Sequence, residues 1–152
     1  MFFTFTECAT EFTGELLYIQ DEYSLFYSPP NKNVGVSILF GAYTSLDTIC
    51  ETGVVANISG LNSKRVWIPM DAKMPKAIQG ELVAHFDDPP LKGTGVDYNR
   101  SWNTYYNKND SCLCIGDYNT LNDDNCIEFA NGIVAVLRGN QLVAVWAKIK
   151  ET

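Results

Sequence analysis

His85 is the one histidine in the chain, so any nucleophilic catalysis has to pair it with one of five cysteines: Cys8, Cys50, Cys112, Cys114 or Cys126. Such a pair needs the imidazole beside a thiol and a third group to orient it. His85 stands in Glu81-Leu82-Val83-Ala84-His85-Phe86, where strand alternation sets it beside apolar neighbours. Each cysteine lies in or next to an apolar stretch, where free cysteine acts as a small buried hydrophobe. No catalytic pair is expected. Zinc on Cys112, Cys114, Cys126 and His85 meets a spacing objection: Cys-x-Cys is too short for two thiolates to wrap one ion, and no second pair follows. Neither a metal nor a cofactor is expected.

Oxygen ligands gather in Gly116–Asn125 as Asp117, Asn119, Asp123 and Asp124. A calcium loop needs acids at alternate positions, then Gly and a distal Glu, and the pattern fails after Asn119. The segment reads as a solvated connection between strands, with Asp123-Asp124 exposed. Nothing selects two of these acids as a glycosidase pair. Gly93-Thr94-Gly95 is too short to cradle phosphate and no P-loop lysine follows it. The chain is therefore read as a non-enzyme. Tyr98, Trp102, Tyr105 and Tyr106, with Asn and Arg among them, suit a protein-binding or sugar-stacking surface; the competing reading tucks them onto the core.

The elements that position these groups are mainly strands. Gly132–Lys150 predicts a hairpin that closes at Gly139-Asn140, with Gly first as a type II′ turn requires. Closure there sets Leu137 opposite Leu142, Ala135 opposite Ala144 and Ile133 opposite Trp146 on one face. Val136 and Val143, and Val134 and Val145, pair on the other. Both faces are apolar up to Arg138 and Gln141, so the hairpin belongs inside a sheet covered on both sides. Cys112–Ile115 and Cys126–Phe129 should lead into it, giving an antiparallel meander over 112–149.

Upstream, Phe2–Phe5, Tyr23–Tyr27, Val34–Tyr43 and Glu81–Phe86 read as strands, and Pro69–Gly80 as a loop. Residues 6–23 fit either a helix, through Cys8, Phe12, Leu16, Ile19 and Tyr23, or a continuous strand. Glu7, Glu11 and Glu15 share a face in both readings, provided Gly14 does not break the element. Ser45–Glu51 predicts a short helix with Ser45 as N-cap and Gly53 beyond its end. Residues 91–111 read as a long connection with one helical turn near Trp102. Gly53–Trp67 echoes Gly132–Trp146 at an offset of 79, which raises a duplication of the hairpin. The expected fold is mostly β or α+β, a single domain over 1–152 with an antiparallel sheet and one or two short helices.

Apolar residues make up 46% of the 152, enough for a solid core. The net charge of −7 is distributed unevenly. Residues 1–63 hold Glu7, Glu11, Glu15, Asp21, Glu22, Asp47 and Glu51 against Lys32 alone, whereas acids and bases nearly balance afterwards. Phosphate contacts need Lys and Arg, so neither nucleic acid nor an anionic membrane is the expected partner. A basic protein is. Its expected contacts are Glu7, Glu11, Glu15, Asp21 and Glu22, with Asp87, Asp88, Asp123, Asp124 and Trp102 in reserve. No apolar run reaches the ~18 residues of a membrane span. The N-terminus has no basic segment of a signal peptide, and an odd number of cysteines makes a poor disulfide framework. The expectation is a cytoplasmic protein with five reduced thiols.

In size, acidity and lack of catalytic chemistry the chain resembles the immunity proteins of contact-dependent growth inhibition and other polymorphic toxin systems. The resemblance implies a protein that binds and neutralises a cognate toxin domain, often a nuclease. A ligand- or carbohydrate-binding β-rich module is the alternative.

Overall fold

The computed structural model describes residues 1–152. It is mostly β, in two mixed sheets with strands numbered along the chain. One has eight strands in spatial order β1 (Phe2–Glu7), β8 (Ile78–His85), β12 (Asn125–Ala130), β13 (Ile133–Arg138), β14 (Gln141–Lys148), β11 (Cys112–Gly116), β10 (Thr104–Asn107) and β7 (Ile68–Pro69). The other has seven: β15 (Lys150–Glu151), β2 (Glu15–Ile19), β3 (Ser24–Ser28), β6 (Val55–Leu61), β5 (Tyr43–Ile49), β4 (Val34–Phe40) and β9 (Thr94–Asn99). The only helical elements are two three-residue 3₁₀ turns, Gln20–Glu22 and Lys64–Val66, so no helix is long and apolar enough to cross a membrane.

The terminal hairpin forms where its sequence places it. Gly139 takes φ +62° while Asn140 stays at negative φ, as a type II′ turn requires. Leu137 faces Leu142 as expected, but the register then slips by one. Val136 pairs with Ala144, Ala135 with Val145, Val134 with Trp146 and Ile133 with Ala147, leaving Val143 as the extra residue. The bulge exchanges the faces beyond it, sending Val145 to the core and Trp146 to the outside. It also turns the Val143 carbonyl out of the ladder to accept from the Asp117 N–H at 2.9 Å.

Both faces of the hairpin are dry. Inward, Ile133, Ala135, Leu137, Leu142, Val145 and Ala147 join a core that includes Tyr18, Ile38, Phe40, Leu46 and Ile58 of the opposite sheet. Outward, Val134, Val136, Ala144 and Trp146 meet Cys112 and Cys114 under a strap, residues 70–77, which lays Met70, Ala72 and Met74 across them. The strap has little secondary structure of its own. Met70 N–H donates to the Tyr106 carbonyl at 3.0 Å, and the buried Asn107 amide donates to the Ala72 carbonyl at 2.9 Å.

Several expectations need correction. The meander holds for β12–β13–β14, but β11 pairs with β14 on the far side, so 112–149 is a Greek key. The sheets are not purely antiparallel: β8 with β12, β10 with β7, β4 with β9 and β15 with β2 run parallel. Residues 45–51 are not helical; they lie mostly in β5, paired with β4 and β6. Residues 6–23 are neither one helix nor one strand, because the chain leaves β1 at Glu7 and enters β2 at Glu15. The interruption spans residues 8–14, and Gly14 closes it where a Cβ would lie 2.4 Å from the Ser28 carbonyl oxygen. Residues 91–111 contain β9 and β10, one in each sheet. The duplication does not extend to structure: 55–61 is the single strand β6, between β5 and β3, whereas 133–148 is a hairpin.

Val134 is buried on the outer face beneath the strap, with no cation in its apolar cluster. Val134→Asp is therefore expected to cost about 4 kcal/mol by burying an unpaired charge. Urea denaturation measures it; a loss below 1 kcal/mol would mean that the outer face is wet.

Candidate functional site

His85 in β8 sits opposite Phe2 of β1, and the two rings stack at 4.5 Å with 7° between planes. Its Nε2 lies 2.7 Å from the Thr4 hydroxyl. The partners of the imidazole are thus an aromatic face and a hydroxyl, not a thiol. All five cysteines are free. Cys112 and Cys114 point from β11 into the cluster under the strap, and burial raises the pKa of both thiols and that of Cys126, most strongly for Cys114. A raised thiol pKa lowers the thiolate fraction, which is opposite to what a nucleophile needs. No three His, Cys, Asp or Glu side chains converge as metal ligands would.

Asp47 is the one acid of residues 1–63 that is buried. In β5, its Oδ1 accepts from Ser37 at 3.1 Å and Ser45 at 3.0 Å, and its Oδ2 from Ser59 at 2.6 Å. Burial raises its pKa and the three hydroxyls offset part of that rise. The three hydroxyls offset part of the cost of burying this carboxyl and tie β4, β5 and β6 together.

The Asp/Asn-rich connection is a clasp over the hairpin tip. Arg138 Nε and Nη2 donate to the two Asp124 oxygens at 3.0 and 2.9 Å, and Nη1 reaches Asp117 at 3.4 Å. Asp124 also accepts from the Leu121 N–H at 2.8 Å. Its side chain is only 2% exposed, which corrects the expectation of a free Asp123-Asp124 pair. Asp123 alone remains exposed. The Arg138 guanidinium beside Asp124 holds its carboxyl below the usual carboxylate range.

The remaining acids do not form one surface. Glu7 ends β1 opposite Gly80, and Glu15 starts β2 opposite Ser28. Glu11 lies between them on a connection pinned by Cys8 N–H to Gln79 O at 3.2 Å, Thr10 hydroxyl to Phe129 O at 2.8 Å and Tyr27 hydroxyl to Phe12 O at 2.9 Å. Glu11 shares a shallow hollow with Glu81. Glu7, Glu11 and Glu15 follow one another along this pinned connection, the 7–15 rim, from the end of β1 to the start of β2, and do not form the regular stripe expected of a single element. Asp21 and Glu22 follow the opposite end of β2, where Ile19 pairs with Ser24. Asp87 binds the terminal amine of Met1 at 3.0 Å; Asp88 beside it is exposed and unpaired. Every ion pair in the protein takes its acid from beyond residue 63. Glu7, Glu11, Glu15, Asp21, Glu22 and Glu51 are exposed and unpaired.

The aromatic connection disperses as well. Trp102 packs half-buried against Phe40 at 5.8 Å and Tyr98 at 5.7 Å, Tyr106 against Trp67, and Tyr105 against Tyr118. The core-facing alternative describes them better than a stacking platform does. One edge of Trp102 reaches the largest cleft, ≈ 660 Å³, which pattern reading missed. Its walls are the turn at Glu22-Tyr23, the β4–β5 turn at Ala42, the end of β6 with Ser63 and Val66, and Arg100–Thr104. The floor is Asn62, whose Nδ2 donates to Thr44 at 3.1 Å and Thr104 at 2.9 Å while Oδ1 accepts from the Trp67 indole at 2.6 Å. Gly60, at φ +110°, lets β6 approach β5 at the mouth; a Cβ there would stand 2.4 Å from the Tyr43 carbonyl oxygen. No local pattern signals this cleft, because its lining comes from four separate segments.

The chain matches no protein-family model and no curated protein sequence.

Two measurements follow from the buried groups. In the native protein Cys8 should react with Ellman's reagent within minutes, and Cys112 and Cys114 only on unfolding; rapid labelling of all five thiols would contradict the covered face. Arg138→Met should cost about 2 kcal/mol at pH 7, because Asp124 is left unpaired. The lowered Asp124 pKa makes this contribution complete above about pH 4 and lost as pH falls through the folded-state value. Urea melts of both proteins at pH 7 and pH 2 should show the gap closing; a constant gap would mean that the clasp is not ionic.

Proposed function

We propose that this chain is a non-catalytic binding protein that neutralises a basic protein partner, a toxin nuclease domain in the manner of the immunity proteins it resembles. The observation that carries the reading is the unneutralised acid of residues 1–63. Six exposed carboxylates there have no cationic partner and Lys32 is the only base among them, whereas beyond residue 63 eleven acids stand against ten bases and five of those acids are held in ion pairs. A nuclease presents Lys and Arg to phosphate, so an inhibitor with ready carboxylates gains association rate and specificity at that cleft. The Glu7–Glu11–Glu15 rim suits the task because its backbone is pinned to β3, β8 and β12 and needs little ordering on binding. Five free thiols fit the reducing cytoplasm in which such a protein would act.

The test is titration against a panel of basic toxin nuclease domains by surface plasmon resonance at low and high salt. Reversing Glu11 and Glu15 to Lys should change stability by no more than about 0.5 kcal/mol each. Binding should weaken by roughly 1–5 kcal/mol, mainly through a slower, salt-sensitive association rate. Reversing Asp21 and Glu22, at the other end of β2, should leave affinity near the wild-type value. Unchanged binding by the Glu11 and Glu15 double variant at low salt would reduce the rim to a solvated face.

A further inference from the structure

The cleft lies beyond the Ile19 end of β2, away from the acidic rim, and its chemistry is of another kind. Four large apolar side chains that the fold leaves exposed converge on it: Tyr23, Tyr43 (67% exposed), Leu61 (53%) and Val66 (67%). They come from three separate segments, so no run of apolar sequence brought them together. Tyr23 is held at φ +53°, an uncommon backbone for a residue with a side chain, by its N–H to the Gln20 carbonyl and by the Asn62 N–H on its own carbonyl at 2.7 Å. The strained turn sets the Tyr23 ring in the lining of the cleft and in contact with Arg65.

One guanidinium, that of Arg100, belongs to the lining, and a second, that of Arg65, lies beside it over Tyr23. Arg100 lies over Tyr43 at 6.0 Å; its Nε donates to the Gly41 carbonyl, its Nη2 to the Ala42 carbonyl and its Nη1 to Asp97, so its position is fixed and its charge compensated. Arg65 lies over Tyr23 at 5.3 Å, and its guanidinium enters no ion pair or hydrogen bond. Its five donors, held flat against a ring, are free. Glu22, the one acid on the lining, accepts from the Ser24 hydroxyl at 3.3 Å. An apolar hollow within the usual size range of ligand pockets, walled by a fixed hydrogen-bond network and carrying one unused planar cation at its rim, is complementary to an apolar body with a terminal oxyanion.

We propose that the cleft binds an amphipathic oxyanion, its aliphatic or aromatic body on Tyr43, Leu61 and Val66 and its carboxylate or sulfonate on the free guanidinium of Arg65. The size of the hollow suits a small free ligand, and the Asn62 floor, already fully hydrogen-bonded, presents it ready-formed.

The test uses the full chain and the fluorescent sulfonate 8-anilinonaphthalene-1-sulfonate, displaced by decanoate. One saturable site is expected. Arg65→Gln should weaken it about tenfold, the loss of a charge-assisted contact, and Leu61→Asn should weaken it too. Leu91→Asn, which alters the most exposed apolar side chain outside the cleft (77%), should leave it unchanged. Decanamide should compete at least tenfold less well than decanoate. Shift mapping of wild-type protein with decanoate needs no variant, and the shifts should fall at 22–23, 42–44, 61–66 and 100–104. Equal competition by decanamide, wild-type affinity in Arg65→Gln, or shifts centred elsewhere would each overturn the proposal. None of these outcomes depends on a protein partner, so the fate of the acidic rim is decided separately.

Discussion

The β13–β14 hairpin has to be kept from water on both sides, and the rest of the molecule is arranged around that requirement. An amphipathic hairpin could have rested on one layer with its other face in solvent. Here Val134, Val136, Ala144 and Trp146 on one face and Ile133, Ala135, Leu137 and Val145 on the other each need cover. The seven-stranded sheet covers the inner face. The outer face is closed by the 70–77 strap with Tyr105 and Tyr118. The bulge at Val143 serves the same end, because it sends the small Ala144 and the large Trp146 outward together and frees a carbonyl that ties down the next connection.

A core closed in this way leaves its polar groups structural parts to play. Asp47 is enclosed by three serine hydroxyls, Asp124 by Arg138, and Asn62 by two threonines and an indole, so each buried polar side chain stabilises a junction between strands. Charged side chains without partners lie elsewhere, among them the carboxylates of the 7–15 rim on one connection and Arg65 with its apolar neighbours at the far end of β2. The proposed recognition groups are thereby separate from the junctions. Changing a rim charge or Arg65 removes no ion pair or side-chain hydrogen bond of the sandwich, whereas changing Asn62 would.

How much of this was legible follows from the range over which each signal acts. The hairpin tip and its double cover were readable because a Gly-first turn and an uninterrupted apolar pattern are local. The bulge was not, since Val, Ala and Trp are apolar on either face and parity carries no information there. Ser45–Glu51 looked helical through its cap and its following glycine, but pairing with β4 across the Gly41-Ala42 turn overrode that propensity. β9 and β10 were hidden because half-exposed strands near sheet edges are polar enough to pass for loop. Asp124 reads as solvated until Arg138, fourteen residues on, is placed over it. The cleft had no linear signal at all; Tyr43 and Leu61 become neighbours only through the β5–β6 register. The uneven charge was plain in the sequence, but its division between the two ends of β2 was not.

The central claim is that the doubly covered hairpin is the structural keystone and that the recognition surfaces lie outside it. Native-state hydrogen exchange tests this most directly. The amides of Ile133–Leu137 and Ala144–Ala147 should exchange only through global unfolding, with an opening free energy equal to that from urea melts, while those of 8–14 and 100–103 exchange through smaller local openings. Exchange of 133–137 through a sub-global opening that releases the 70–77 strap, or protection of 8–14 as high as that of the hairpin, would contradict the account.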